Sequence, residues 1–449
     1  MTLSATAIAA DVRAGCRSAR AIAVETIDRI AAQASLNAAT RLLRDRALAD
    51  AARVDAAVAA GRDPGPLAGV PFAVKDLFDV AGEATTAGAR QLADAPPAPR
   101  DAEVVARLCA AGAVLVATTN MDEFAYGFST ENAHYGTTRN PHDPDRLAGG
   151  SSGGSAALVG AGLVPLALGS DTNGSIRVPA SLCGIYGLRP SFGVVPVAGT
   201  YPFVERLDTV GCFARSGEDM AIAHAVMTGA PLSPGGSAIV RVAPLGGWFA
   251  ERAEDAVLTG IDRIAAHLDA GPPVVLRWAA AARSAGFMLT GAEGGHRHLP
   301  ALRRDAMAFD AGTRDRLIAG ALQPVAAVRE AEAVAERFTD ELLGALATHD
   351  LLLAPATPMA APRIDATTIV IDGQSLSARA DLGLHTQPLS LAGVPILSVP
   401  LAQAAGAMPI GVQLIAAPGR EALLFETAAA LAAAGLVACP VAPIAAVAA

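Results

Sequence analysis

The chain predicts an α/β protein: one large domain in which a central mixed β-sheet is covered by helices on both faces. Three observations carry that expectation. Short apolar or β-branched runs alternate with segments of helical periodicity along most of the 449 residues. Hydrophobic residues make up 52% of the chain, which is enough for a sizeable core and argues against disorder. No Gly/Ser linker, internal repeat or low-complexity block beyond alanine richness divides it. A single unit, 1–449, is therefore expected. Within it, 1–60 forms an N-terminal helical layer, 70–215 a core and 239–345 an insertion.

The elements follow in order. In residues 3–60, Ala, Leu, Ile and Val recur at helical spacing between Asp, Arg and Glu, as in helices of an outer layer. Arg62-Asp-Pro-Gly-Pro66 is a turn cluster. The apolar run 70–74 is a buried strand that delivers Lys75; 104–111 is a helix and 113–118 a β-branched strand. Asn120-Met-Asp-Glu123 predicts a helix start, with Asn120 as cap and Glu123 reaching back. That reading is preferred to Asp122 and Glu123 as an acid–base pair. A short helix over 155–162 and a strand over 163–168 come next, and Ser175 opens another helix. Strand, helix (251–268) and strand are expected between Ile239 and Ala280. Residues 285–347 are mostly helical, and 351–354, 396–399 and 410–415 are strands. The uncharged tail from Thr427 to Ala449 reads as a helix ending near Gly435 and then a docked strip. Pro440 and Pro443 break it, which argues against a membrane span.

Charge and cysteine usage narrow the function. A net charge of −9 with no basic run argues against nucleic acid. Five scattered cysteines without a Cys-x-x-Cys pair argue against a disulfide framework or zinc ribbon, and fit a reducing compartment. Asp11 and Arg13 interrupt the first apolar residues, unlike a signal peptide, so the cytoplasm is the expected location.

The chemistry gathers in three segments: Gly69-Val-Pro-Phe-Ala-Val-Lys75-Asp76, Ala148-Gly-Gly-Ser151-Ser152-Gly-Gly-Ser155 and Gly169-Ser-Asp171-Thr-Asn-Gly-Ser175-Ile-Arg177. The glycine loop ends in Gly154-Ser155-Ala156 and lacks the Gly-Lys-Ser/Thr of a phosphate loop. Its glycines suit a backbone passing tightly around a reactive centre. Ser175 stands at a helix start, where unpaired N–H groups can stabilise an oxyanion; its plainer reading is a helix cap. No histidine falls in either serine turn, so the base for a serine hydroxyl is sought in an amine. Lys75 is the only lysine in the chain. With a pKa near 10.4, only about one lysine amine in 2,500 is neutral at pH 7, a handicap of roughly 4.6 kcal/mol. Burial must remove it. Every other cationic Lys/Arg position is arginine, which keeps its proton, so a lone lysine points to a role arginine cannot fill. The plainer reading is a surface pair with Asp76. His296-Arg-His298 looks ligand-like but has no third ligand near it, and surface histidines are expected.

Taken together, the three segments resemble the amidase signature family. The separation of 24 between Ser151 and Ser175 matches the family spacing. The resemblance extends over nearly the whole chain, through Asn120-Met-Asp-Glu-Phe, Leu351-Leu-Leu-Ala-Pro-Ala-Thr-Pro358, Leu391-Ala-Gly-Val-Pro395 and Pro409-Ile-Gly-Val-Gln-Leu414. It implies that Ser175 is the nucleophile, and that Ser151, after a cis peptide from Gly150, relays protons to neutral Lys75. It also implies that backbone amides around Thr172, Asn173, Gly174 and Ser175 hold the oxyanion, while Asp171 and Arg177 brace the turn. No metal or organic cofactor is implied, and a homodimer fits the family.

One departure matters: the family commonly has Gly-Gly-Ser where this chain has Asn173-Gly174-Ser175, which places a side chain beside the acyl pocket. That substitution, with Phe124-Ala-Tyr-Gly-Phe-Ser-Thr-Glu-Asn132 and Leu322-Gln-Pro324, resembles the branch of 1-carboxybiuret hydrolases of s-triazine and cyanuric acid breakdown. The branch implies a small anionic, urea-like amide substrate, release of ammonia and help from a small helical partner protein. Arg316 is the candidate cation for the substrate carboxylate. The rival is the glutaminase component of tRNA-dependent amidotransferases. Those relatives hold the α-amino group of glutamine with an aspartate three residues before the Thr of Thr-x-Pro; here that place is Gly383. A non-enzymatic scaffold is the third reading.

Overall fold

The computed structural model describes residues 4–231, 241–371, 373–440 and 442. Three amphipathic helices open the chain: α1 (Ala5–Arg13), α2 (Ala19–Ala32) and, after a short strand β1 (Ala39–Leu42), α3 (Arg44–Ala59). The hydroxyls of Ser4 and Ser18 accept the amides of Ala7 and Ala21 and so cap α1 and α2. Strand β2 (Pro71–Lys75) and, after α4 (Glu103–Ala110), strand β3 (Val114–Thr119) are wholly buried. A small hairpin, β4 (Glu131–Asn132) with β5 (Gly136–Thr137), precedes α5 (Gly153–Gly160), β6 (Leu166–Asp171) and α6 (Arg177–Cys183). Strands β7 (Tyr186–Arg189) and β8 (Thr209–Ala214) lead to α7 (Gly217–Thr228), β9 (Val242–Pro244) and α8 (Asp255–His267). Helices α9 (Ala279–Asp305), α10 (Ala311–Ala321) and α11 (Val325–Thr348) follow. The chain closes with β10 (Leu351–Pro355), the hairpin β11 (Thr368–Ile371) and β12 (Gln374–Ser377), the short α12 (Thr386–Ser390), β13 (Ile396–Pro400), β14 (Gly411–Ile415) and α13 (Glu421–Ala433).

Ten strands form one mixed sheet in the order β1-β3-β2-β6-β8-β7-β13-β14-β10-β9. Pairs β2–β3, β2–β6 and β9–β10 are parallel; the others are antiparallel. The inner strands are buried along their whole length, which is why the sequence shows continuous apolar runs there rather than alternation. The edge strand β1 is partly exposed. The result is the single-domain α/β fold expected.

Several local expectations are corrected. Asn120 caps no helix. Its Oδ1 accepts the neighbouring Met121 amide and its Nδ2 donates to the Gly136 carbonyl, so Asn120 ties the β3 exit to the small hairpin. Glu123 does not reach back; it accepts the Asp310 amide from far along the chain. Only one turn of 3-10 helix forms at Glu123–Ala125, because Phe124 and Ala125 adopt left-handed backbone. The helix after Ser175 starts two residues late, at Arg177. The strand expected over 163–168 runs Leu166–Asp171, so it delivers Ser170 and Asp171 directly to the turn. The strand expected from Ile239 opens among residues 232–240, outside the described part. The one after α8 shrinks to a single bridge, Leu245 with Val274. Strands β1, β7 and β8 have no counterpart among the expected elements. The tail helix ends at Ala433, two residues before Gly435, and Val437 bridges Leu401; residues 441 and 443–449, with Pro443, lie outside the described part. No helix among the described residues is long and apolar enough to cross a membrane.

Candidate active site

Lys75 ends β2, an inner strand third from one edge of the sheet, and is fully buried. Its Nζ donates to Ser151 Oγ at 2.7 Å and to Ser170 Oγ at 2.9 Å. Burial pulls its pKa down to about 7, although the carboxyl groups of Asp122, Asp208 and Asp171 pull the other way. Desolvation wins because the amine has no counter-ion in contact, only two hydroxyls. The plainer reading of a surface pair with Asp76 is thereby excluded: Asp76 bonds Arg41, Thr40 and Thr86 instead.

Ser151 follows Gly150 through a cis peptide bond. A β-carbon at Gly150 would collide with Asp122 Oδ2, so glycine is needed for the close approach. Asp122 is buried and accepts the Thr130 amide at 3.0 Å; burial raises its pKa to about 6 against the pull of that amide, Arg316 and Lys75. Helix α5 follows at once, buried throughout, with glycines where Thr130 and the Ala38 carbonyl press against it.

Ser175 lies in the turn between β6 and α6, and the Ser152 amide donates to its carbonyl at 3.3 Å. That bond holds the two serine loops together. No Ser151–Ser175 hydrogen bond is formed among the described residues. Asp171 organises the turn. Its carboxylate accepts the amides of Gly174, Ile176 and Arg177 at 2.7, 3.2 and 3.4 Å, and Nε and Nη2 of Arg177 at 3.0 and 2.9 Å. Arg189 Nη1 adds a contact at 3.3 Å. All three side chains are fully buried, and the two guanidinium groups hold the Asp171 pKa far below the usual carboxylate range. Arg177 also bonds Gln413 and Ser390, and Arg189 bonds the carbonyls of Leu207 and Ser390, so the turn is tied to α12, β14 and the loop before β8. Gly174 has φ +131 and packs so close to Thr386 that any β-carbon would strike its hydroxyl.

A narrow cavity of about 30 Å³ opens at Ser175, lined by Thr172, Asn173, Thr290, Arg316 and Gln387 among others. Thr172 donates to Asp208 and Asn173 to Thr290, each at 2.7 Å. Arg316 borders this cavity and a neighbouring cleft of about 250 Å³. Its guanidinium lies 4.2 Å from the Tyr126 ring centroid and donates to the Tyr126 and Gly312 carbonyls. Its placement follows from glycine: α9 and α10 cross where Gly320 meets Gly291 with no room for a β-carbon at Gly320.

The structure thus gathers Lys75, Ser151, Ser170, Asp171, Thr172, Asn173, Gly174, Ser175, Arg177 and Arg316 around one centre. Of the four amides expected to hold an oxyanion, that of Gly174 is bonded to Asp171. Sequence reasoning missed Ser170, Arg189, Gln413 and Gln387, and weighed Asp122 only as one of an acid–base pair before preferring a helix cap. Arg189 and Gln413 left a signal, each a polar residue in an otherwise apolar strand. His298 is not at the surface as expected; it is buried against Phe124, Tyr201 and Phe309, and that desolvation depresses its pKa to about 4. No group of three potential metal ligands occurs among the described residues.

Comparison with known proteins gives a consistent result. The profile of the family described as Amidase matches residues 21–237 and 261–425. The chain is 46% identical over 430 residues to AtzE, a component of the 1-carboxybiuret hydrolase of Pseudomonas sp. (strain ADP), covering 92% of this chain and 94% of that one. It is 36% identical over 458 residues to the A component of the glutamyl-tRNA(Gln) amidotransferase of Azoarcus sp. (strain BH72), covering 90% and 91%. A solved structure described as an inhibitor-bound vestigial complex, revealing the origins of an s-triazine catabolic enzyme, superposes with a TM-score of 0.93 at 44% identity. The match covers 98% of this chain and all of that one.

Proposed function

The chain belongs to the amidase family and is a hydrolase of amide carbon–nitrogen bonds, and from that premise we propose that it cleaves a small carbamoyl-urea amide, 1-carboxybiuret foremost, through an acyl-enzyme. The observation that carries the proposal is a desolvated lysine bonded to Ser151 beside the cavity of Ser175. Ser175 Oγ attacks the terminal carbamoyl carbon. Its proton passes to Ser151, whose own proton passes to neutral Lys75. The Ser151–Ser175 link closes when substrate fills the cavity, as catalytic hydrogen bonds often do. Amides of Thr172, Asn173 and Ser175 receive the oxyanion. The relay then protonates the leaving nitrogen, ammonia departs, and water retraces the path to free the carboxylate.

Arg316, at the border of cavity and cleft, suits the far carboxylate of the substrate. Arg316→Ala is expected to raise KM for 1-carboxybiuret at least about tenfold more than for neutral biuret, since only the anion loses its partner. Equal effects in steady-state kinetics would take Arg316 out of the substrate site.

The glutaminase reading is disfavoured by Gly383. A β-carbon at Gly383 would strike the Phe128 ring, so an aspartate there requires that ring to move. Nearby Asp381 is engaged by Arg283 at 2.6 Å and by the Ser377 amide at 2.8 Å. Ammonia release measured over biuret, 1-carboxybiuret, allophanate, malonamate and glutamine tests the proposal. Carboxybiuret is expected to lead the series, and glutamine in first place would reverse it. A homodimer, a cytoplasmic site of action and a small helical partner protein belong to the same proposal; the partner draws support from the complex in which the solved relative is described.

A further inference from the structure

We infer that Asn173 and Gln387 form a pair of amide-oxygen acceptors that selects substrates bearing an N–H next to the scissile carbonyl. The inference rests on the carbamoyl-urea reading of the same site.

Asn173 Oδ1 and Gln387 Oε1 are both buried with no hydrogen-bond partner, and both residues line the cavity at Ser175. Buried carbonyl oxygens are almost always paired, so two unpaired ones on residues lining one cavity mark places where the donor arrives with the ligand. The Asn173 side chain is fixed from behind. Asn173 Nδ2 donates to Thr290 Oγ1 at 2.7 Å, which leaves Oδ1 as the unpaired end of the side chain. Thr386 Oγ1 donates to the Asn173 backbone carbonyl at 2.7 Å, which clamps Asn173 against the residue preceding Gln387. A β-carbon at Gly286 of α9 would stand 3.8 Å from Asn173 Oδ1 and 3.7 Å from the backbone carbonyl oxygen of Gln387, so this helix borders both residues.

The chemical consequence is simple. In a urea-type substrate the atom beside the scissile carbonyl is N–H, a donor. In an aliphatic amide it is methylene, which offers the acceptors no donor at that position. A site built to hydrogen-bond a substrate N–H rejects the analogue lacking it far more strongly than an apolar pocket does.

Biuret and malonamide differ by that one atom, N–H against CH2, and neither carries the carboxylate assigned to Arg316. Wild-type kcat/KM is expected to favour biuret by at least about 100-fold. Gln387→Met and Asn173→Ala should each reduce the biuret-to-malonamide ratio at least about tenfold, and Gln387→Glu, which keeps an acceptor, should restore part of it. An unchanged ratio in both variants, an equal fall on both amides, or no wild-type turnover of biuret overturns the pair. If Asn173→Ala does not fold, Gln387→Met decides alone. Turnover of 1-carboxybiuret is read separately: its absence together with an intact biuret preference rejects the proposed substrate and keeps the acceptor pair.

Discussion

Lys75→Met is expected to lower kcat/KM by about 10,000-fold or more while making the fold more stable. Both halves come from one fact, a lysine with its pKa near 7 in a fully buried setting. In the unfolded chain the amine titrates near its ordinary value. Between the two values the unfolded state binds more protons, so stability rises with pH through that window, and the penalty is complete below about pH 7. At about 1.4 kcal/mol per pKa unit the full penalty is roughly 5 kcal/mol, and about 4 kcal/mol remains at pH 7. Methionine removes it and forfeits two hydroxyl hydrogen bonds of about 1 kcal/mol each, which leaves a net gain of about 2 kcal/mol. Ser175→Ala serves as the contrast: it should abolish acylation without that gain. In the wild type, kcat/KM should rise with pH through about 7 as the neutral amine forms. A profile flat from about pH 6 to about pH 8, or Lys75→Met unfolding at lower denaturant than wild type, would remove Lys75 as the base.

That lysine also shows how far the sequence reaches. An amine at the end of an apolar run, in a chain otherwise committed to arginine, is legible as a group to be desolvated. So are the two serine loops, because glycine at 150, 153, 154 and 174 answers close backbone approaches. Continuous apolar runs locate β2, β3, β10, β13 and β14, since a strand buried on both faces has no polar side to hide it. What fails is whatever depends on distant partners. The capping box at Asn120 is locally well formed, but Asn120 and Glu123 bond to Gly136 and Asp310, and no local rule anticipates residue 310. His298 looks exposed in the sequence because its aromatic neighbours come from three other segments. Gln387 carries no signal at all: its unpaired oxygen exists only once α12 is laid beside the serine turn.

Asp171→Asn is expected to destabilise the protein by about 3–5 kcal/mol, the usual result of removing one partner from a buried ion pair. Asp171 compensates two fully buried guanidinium groups, and each has limited recourse. Arg177 keeps Gln413, Ser390 and the Thr386 carbonyl, and Arg189 keeps three carbonyls, but all of these are neutral. Two cations 12 residues apart in sequence would then face each other in the core. The amide oxygen of asparagine can still accept the Gly174 or Ile176 amide, so the turn keeps part of its shape; alanine would orphan those donors as well, and Asp171→Ala should fail to accumulate as soluble protein. The sign of the pH dependence follows from the depressed pKa. The contribution of Asp171 to its two arginines is complete above the ordinary carboxylate range and fades only in strong acid; because Asp171 also supports protonated Lys75, the deficit of Asp171→Asn should be constant above about pH 8 and widen as Lys75 takes up its proton below about pH 7. Urea denaturation at several pH values measures this directly. Activity separates bracing from folding. If Asp171 only stabilises, Asp171→Asn held far below its melting temperature should retain wild-type kcat. If it also aims the amides of residues 172–175, kcat should fall by about 10- to 1,000-fold in fully folded protein, as when one oxyanion donor is removed. The second outcome is expected, because the same carboxylate that neutralises Arg177 fixes the Gly174 amide at 2.7 Å and so sets the backbone on either side of it.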